Sequence, residues 1–167
     1  MAKKCVGKPK YKGLTAEEIM AQWQEKGNRA RREGTNLHAF CEAMLLGKTG
    51  KAPESDRETR LFCQAAQAVM EIEEKFEFIG TEMIVFSAKL GVAGMIDTLV
   101  WSPRTKSVVI LDWKQNEEIK MDNPWQKCLP PIDHLDDCDA TRYGLQLATY
   151  EAILREEGYF PEAKGFG

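Results

Sequence analysis

The sequence predicts an α/β fold in which helices lead into a β-meander and one more helix follows it. Three observations carry this. Apolar residues recur at helical spacing before residue 80, most regularly from Leu61 to Ile79. Three short segments rich in Val, Ile, Leu, Met, Phe and Trp follow at 81–87, 92–101 and 107–114, with turn residues between them. After a stretch broken by prolines, helical spacing returns over 140–157.

Residues 1–14 read as a basic irregular tail and 15–167 as a single domain. Thr15-Ala16-Glu17-Glu18 offers a capping box, with Thr15 as N-cap and Glu18 three residues on. The helix that follows has Ile19 and Trp23 on one face and is expected to weaken or bend near Gly27 and Gly34. Another helical stretch begins after Gly34, with an apolar stripe of Leu37, Cys41, Met44 and Leu45 and with Gly47 as its stop. His38 and Glu42 lie four apart and share a face of it. They fit a boundary pair, a nitrogen and an oxygen ligand for a metal, or a substrate contact. After a loop at 48–54, a long helix from about 55 to 78 turns Leu61, Ala65, Ala68, Ile72 and Phe76 inward.

In the first strand Glu82 shares a face with Ile84 and Phe86, as a third carboxylate of a site or as an edge charge. Asp97 sits among apolar neighbours on the second. On the third, alternation puts Asp112 and Lys114 on one face. Charges in so apolar a region cost several kcal/mol each unless they are paired or bind metal. Two readings follow: a divalent cation held by Asp97 and Asp112 with Lys114 beside the attacking water, or a buried Asp112–Lys114 ion pair. The acid-x-Lys pattern also occurs at Glu73, Glu118 and Glu162, but in polar or helical surroundings. Context singles out Asp112.

Residues 115–140, with three prolines, read as a substrate-binding loop or lid. His134 and Asp133, Asp136, Asp137 and Asp139 are either a solvated run or a second metal site. In the last helix Tyr143, Gln146 and Tyr150 form a stripe beside Leu147 and Leu154. So polar an inward face suggests hydrogen bonds to the site or to a ligand. No clear strand follows Gly158.

Composition bounds the function. A chain of 167 residues that is 43% hydrophobic supports one core, and without an 18-residue apolar run it predicts no membrane span. The basic N-terminus lacks the apolar centre of a secretory signal; a nucleic-acid contact and a transit peptide both fit it. Five scattered cysteines without a CxxC fit a reducing, intracellular setting and argue against a zinc or iron–sulfur site. The net charge of −3 argues against a protein that coats DNA, though an acidic site that binds metal reverses its sign locally. Lys26, Arg29, Arg31 and Arg32 are clustered as a solvated helix face or as phosphate contacts.

Gly34, His38 and Glu42 on a helix, Gly94 and Asp97 on a strand, Asp112 and Lys114 ending a strand, and Gln146 and Tyr150 on a helix follow in one order. This order resembles the PD-(D/E)XK nuclease superfamily, specifically its RecB-like branch, to which lambda exonuclease is related. The resemblance implies a restriction-endonuclease-like core, with a central mixed sheet flanked by helices, and a deoxyribonuclease dependent on Mg²⁺ or Mn²⁺. Asp97 and Asp112 would then be metal-binding carboxylates and His38 a further ligand. Lys114 would orient or help deprotonate water and stabilise charge on phosphate. Gln146 and Tyr150 would support the site, with Tyr143, Glu42 and Glu82 beside them. DNA, as single strands or duplex ends, is the implied substrate, an exonuclease action in repair, recombination or replication the implied mode, and a helicase or recombination protein the implied partner. The family usually continues with another strand after the Gln–Tyr helix, so the chain is also consistent with one domain of a longer protein. The rival reading is a non-catalytic nucleic-acid-binding or assembly module that keeps the fold.

Overall fold

In the structure, a computed structural model that describes residues 1–116 and 118–167, the helical part before the sheet is simpler than its sequence suggests. One unbroken helix, α1 (Ala16–Leu45), replaces the two that Gly27 and Gly34 were expected to separate. Its capping box forms as expected: Glu18 N–H donates to Thr15 Oγ1 at 3.2 Å, and Thr15 N–H donates to the Glu18 carboxylate at 2.7 Å. A helical glycine costs about 1 kcal/mol against alanine. Burial at both ends outweighs that, with Ile19 fully enclosed near the start and Leu37, Cys41 and Leu45 buried towards the end. The tail is not irregular throughout. It forms short 3₁₀ turns at Ala2–Lys4 and Pro9–Tyr11, and Trp23 Nε1 donates to the Tyr11 hydroxyl at 2.9 Å. Gly47 ends the helix as expected, adopting φ +62° and donating its N–H to the Met44 carbonyl.

A Cβ on Gly27 would meet nothing within 4 Å. Gly27→Ala should therefore stabilise the protein by about 1 kcal/mol, raising its melting temperature by about 2–4 °C in a thermal scan. An unchanged or lower value would mean that the helix is broken there in solution.

The second helix, α2 (Asp56–Glu73), is capped by Ser55, whose Oγ accepts from Glu58 N–H. It ends before the expected residue 78 because Glu77 and Phe78 already pair with Trp101 and Val100. Its buried stripe is Phe62, Ala65 and Val69; of the expected stripe Ala65 is buried, while Leu61, Ala68 and Ile72 lie half-buried. Phe62 stacks on Phe40 with ring centroids 4.4 Å apart, which binds α1 to α2 in one core.

β1 (Glu77–Ser87), β2 (Val92–Ser102) and β3 (Ser107–Leu111) form an antiparallel meander in that order. A second core joins Val85, Ile96, Leu99, Val108 and Ile110 of the sheet to Ile153 and Leu154 of α3 (Asp139–Glu156). Residues 96–100 of β2 are all buried, as expected of a strand covered on both faces. Two strand expectations change. β3 stops at Leu111, so Asp112 and Lys114 stand on irregular backbone rather than on a strand. Ile84 and Phe86 face outwards, 75% and 58% exposed, while Val85 and Ser87 point in, so Glu82 cannot reach the interior by sharing their face.

The three named strands are antiparallel, which is compatible with the mixed sheet that the resemblance implies. A short parallel pairing lies at the outer edge of β3. Val108 N–H donates to the Gly165 carbonyl, Gly167 N–H to the Val108 carbonyl, and Ile110 N–H to the Gly167 carbonyl at 2.7 Å. No helix is long and apolar enough to cross a membrane among the described residues.

Candidate metal centre

The two cores meet at Trp113, whose ring packs against the helical core while its Nε1 donates to Thr98 Oγ1 on β2 at 3.1 Å. This junction brings α1 to the sheet. Trp113 N–H donates to Asp97 Oδ2 at 2.9 Å, and the Trp113 carbonyl lies 2.9 Å from His38 Nε2. A carbonyl only accepts, so Nε2 carries the proton and the other ring nitrogen, Nδ1, faces Asp97 Oδ2 at 3.5 Å. Nδ1 meets that carboxylate either protonated, as an ion pair, or through its lone pair with a cation between them. A ring held by a backbone carbonyl in this way is how proteins orient a metal-binding histidine.

Glu82 completes the group. Its backbone sits at φ +48°, in the left-handed region that a residue with a Cβ enters at a cost. That turn breaks the alternation of β1, and the carboxylate lies with His38 and Asp97 rather than outside with Ile84 and Phe86. Ligand atoms of His38, Glu82 and Asp97 all lie within 4.8 Å of one another. Burial raises the Asp97 carboxyl above its ordinary range, opposed by the Trp113 N–H and His38 and reinforced by Asp112. Burial also raises Glu82, reinforced by Asp97 and Glu42 and opposed by His38. Acids that resist ionisation beside one another are what a bound cation relieves. Beneath them the Cys41 thiol is pushed up to about 12 by burial and by the Asp97 charge, so it stays neutral and packs as an apolar group.

The raised values have a definite sign in stability. Between the unfolded and the raised folded pKa the native state keeps a proton that the unfolded chain has lost. Stability from Glu82 is therefore complete below the unfolded value and falls as pH rises through the folded one. Glu82→Gln lacks this loss. In EDTA its melting temperature relative to the parent should climb from about pH 3 to about pH 8; a flat difference would show that Glu82 is not held in this environment.

Asp112 and Lys114 form the ion pair foreseen as one reading, with side chains 8% and 26% exposed. The pair is tied into the same site. Gln146 Nε2 donates to Asp112 Oδ1 at 3.1 Å and lies 3.2 Å from the Tyr150 hydroxyl. Lys114 Nζ stands 5.0 Å from the centre of the Tyr143 ring, whose hydroxyl donates to Asn116 Oδ1. The polar stripe of α3 thus points at the segment after β3. Gly94 makes room for it: a Cβ there would lie 2.5 Å from Tyr150 Cε1. Glu42 lies in a groove with His38, Glu82 and Met95.

Sequence reasoning missed Glu33. It is buried on α1 and accepts from Gln115 Nε2 at 2.7 Å and Arg57 Nε at 3.1 Å. This clamp fixes the residue next to Lys114. A signal was present, since Glu33, Leu37, Cys41 and Leu45 recur every fourth residue, placing a charge on the apolar stripe. Glu58 stands likewise on the buried face of α2, where Asn36 Nδ2 donates to it at 2.8 Å. Glu33→Ala should cost about 1–3 kcal/mol by orphaning its donors, read as a lower denaturation midpoint in urea, with Gln115→Ala milder.

Among the described residues the acidic loop gathers no second cluster of this kind. Asp136 pairs with Lys127, Asp137 and Asp139 with Arg142, and His134 and Asp133 are exposed. Of the basic run on α1, Arg29 lies 4.0 Å from Glu33 and Arg32 4.0 Å from Glu54. Comparison of the chain with models of protein families, with curated proteins and with solved structures finds no match.

Proposed function

We propose that the chain is a divalent-metal-dependent deoxyribonuclease with a PD-(D/E)XK core of the RecB-like, lambda-exonuclease-related branch, acting as an exonuclease on DNA ends. The observation that carries this reading is the convergence of His38, Glu82 and Asp97 with the Asp112–Lys114 pair, from α1, β1, β2 and the segment after β3. The donor set fits a divalent cation: two carboxylates and one imidazole whose other nitrogen is held. Mg²⁺ and Mn²⁺ are the ions proposed, since carboxylate and water ligands suit both. When bound, the ion supplies a lower pKa for water and neutralises charge on the phosphoryl oxygens.

The chain's own groups supply the remainder. His38, Glu82 and Asp97 would hold the ion, with Asp112 as a further carboxylate beside them. Lys114, kept close by Asp112 and by the Tyr143 ring, orients the attacking water and steadies the charge that builds on the phosphate. Gln146 sets the rotamer of Asp112, and Tyr150 sets Gln146.

The test is degradation of end-labelled linear single- and double-stranded DNA with Mg²⁺ or Mn²⁺, beside Asp112→Ala and Lys114→Ala. Cleavage that needs metal and disappears in both variants supports the enzyme, and release of label as mononucleotides supports attack from an end. Absence of cleavage, with no rise in melting temperature on adding metal, would sink the catalytic reading and leave the non-catalytic binding module.

A further inference from the structure

Two grooves open from His38 and Gly34. One holds Glu42, Glu82 and Met95. The other, about 740 Å³, runs between α1 and the segment after β3, from Lys114 and Asn116 past Gly34 and Ala30 to Gly27 and Lys26. Its charge contrasts with the chain as a whole, which is net negative. Among the described ionisable residues that line it, Lys26, Arg31, Arg57 and Lys114 are cationic and Glu118 is acidic.

The cations differ in their engagement. Arg57 is bonded to Glu33 and Lys114 to Asp112, so their charges are offset inside the fold. Lys26 and Arg31 are exposed and make no hydrogen bond or ion pair among the described residues. They stand on successive turns of a helix whose groove face is small at Gly27, Ala30 and Gly34 before it reaches His38. Only Gly34 has a local reason to lack a side chain, since a Cβ there would press on Gln115 Oε1 at 3.3 Å. At Gly27 the space is open. A shallow floor edged by two exposed cations without a partner among the described residues, ending at the candidate metal centre, matches a phosphodiester backbone.

We propose that this groove is the track for a single nucleic-acid strand, with Lys26 and Arg31 contacting phosphates next to the one at the metal centre. The inference rests on the nuclease reading and names the form of its substrate. The commitment to a single strand rests on scale: a groove of about 740 Å³ matches a few nucleotides of one strand. Recognition is through the backbone, since the groove offers cations at its edges rather than a row of aromatic faces.

The experiment measures binding apart from cleavage. Anisotropy of a fluorescein-labelled single-stranded oligonucleotide is followed in EDTA from about 50 to 200 mM salt. Parent, Lys26→Ala/Arg31→Ala, Gly27→Leu and a charge-matched Lys48→Ala/Lys75→Ala control are compared, with thermal scans confirming folding. Each lost phosphate contact lowers the slope of log K against log salt by about 0.7 on a single strand, so Lys26→Ala/Arg31→Ala should lower it by about 1.4. The control should leave it unchanged. Gly27→Leu, which keeps the charge and favours the helix, should weaken binding by obstructing the floor. A slope equal to the parent's, no measurable parent binding at the lowest salt, or tighter binding of duplex than of single strand would overturn the proposal. Loss of the catalytic reading is separable: it would appear as no cleavage by a parent that still binds with the expected slope.

Discussion

Asp97→Asn should abolish metal-dependent cleavage while leaving the metal-free protein at least as stable as the parent. Both halves follow from burial. The Asp97 side chain is 9% exposed, and its carboxyl resists ionisation chiefly because of that burial. A neutral amide of the same shape removes the penalty and still offers an oxygen to the Trp113 N–H. What it cannot supply is the negative charge that, with His38 and Glu82, would hold a cation. Metal catalysis contributes several kcal/mol at the transition state, so cleavage should fall by about a thousandfold or more. The same variant gives a readout without activity. At a metal concentration of about 100 Kd the parent should gain about 2.7 kcal/mol, or roughly 5–10 °C in melting temperature, and Asp97→Asn should gain almost none. A parent and variant that respond alike to Mn²⁺ would place the ion elsewhere.

Gly94→Ala should damage both stability and activity although it adds a single methyl group. The new Cβ would lie 2.5 Å from Tyr150 Cε1, and neither partner has an easy escape. Gly94 pairs with Val85 in the β1–β2 ladder, and the Tyr150 ring packs against the sheet core. Overpacking of this kind costs about 1–3 kcal/mol. Moving the ring also displaces its hydroxyl from Gln146, and through Gln146 loosens Asp112. A double-mutant cycle separates the two effects. If the clash is the cause, Gly94→Ala should cost much less stability in a Tyr150→Ala background than in the parent, while activity stays low in both. Strictly additive costs would show that Gly94 is needed for another reason. Tyr150→Phe, which keeps the ring, should lose about 1 kcal/mol or less.

Glu82 and Glu33 show where local reading stops. Period-two alternation placed Glu82 with Ile84 and Phe86, a sound inference for a regular strand. The left-handed backbone at Glu82 overrides it, and nothing in the neighbouring residue types announces a conformation that is locally unfavourable and must be held by contacts from α1 and β2. Glu33 was legible in principle, as a charge on the stripe of Leu37, Cys41 and Leu45. Its partners, Gln115 and Arg57, were not: one follows β3 and the other starts α2. The continuity of α1 belongs with these, because glycine's helix cost is a local term of about 1 kcal/mol that burial at the two ends exceeds.

By itself the sequence determined the helix–meander–helix order, the capping box at Thr15 and the stop at Gly47. These are consequences of propensity and periodicity, which act over a few neighbouring residues. Only the tertiary structure decided that His38 turns Nδ1 to Asp97, that Glu82 joins them, that Gln146 grips Asp112, and that Lys26 and Arg31 stay unpaired beside a groove. Those facts, the pairing of Lys26 and Arg31 being judged among the described residues, depend on how two cores dock across Trp113, and the burial that drives the docking carries no direction that a local pattern records.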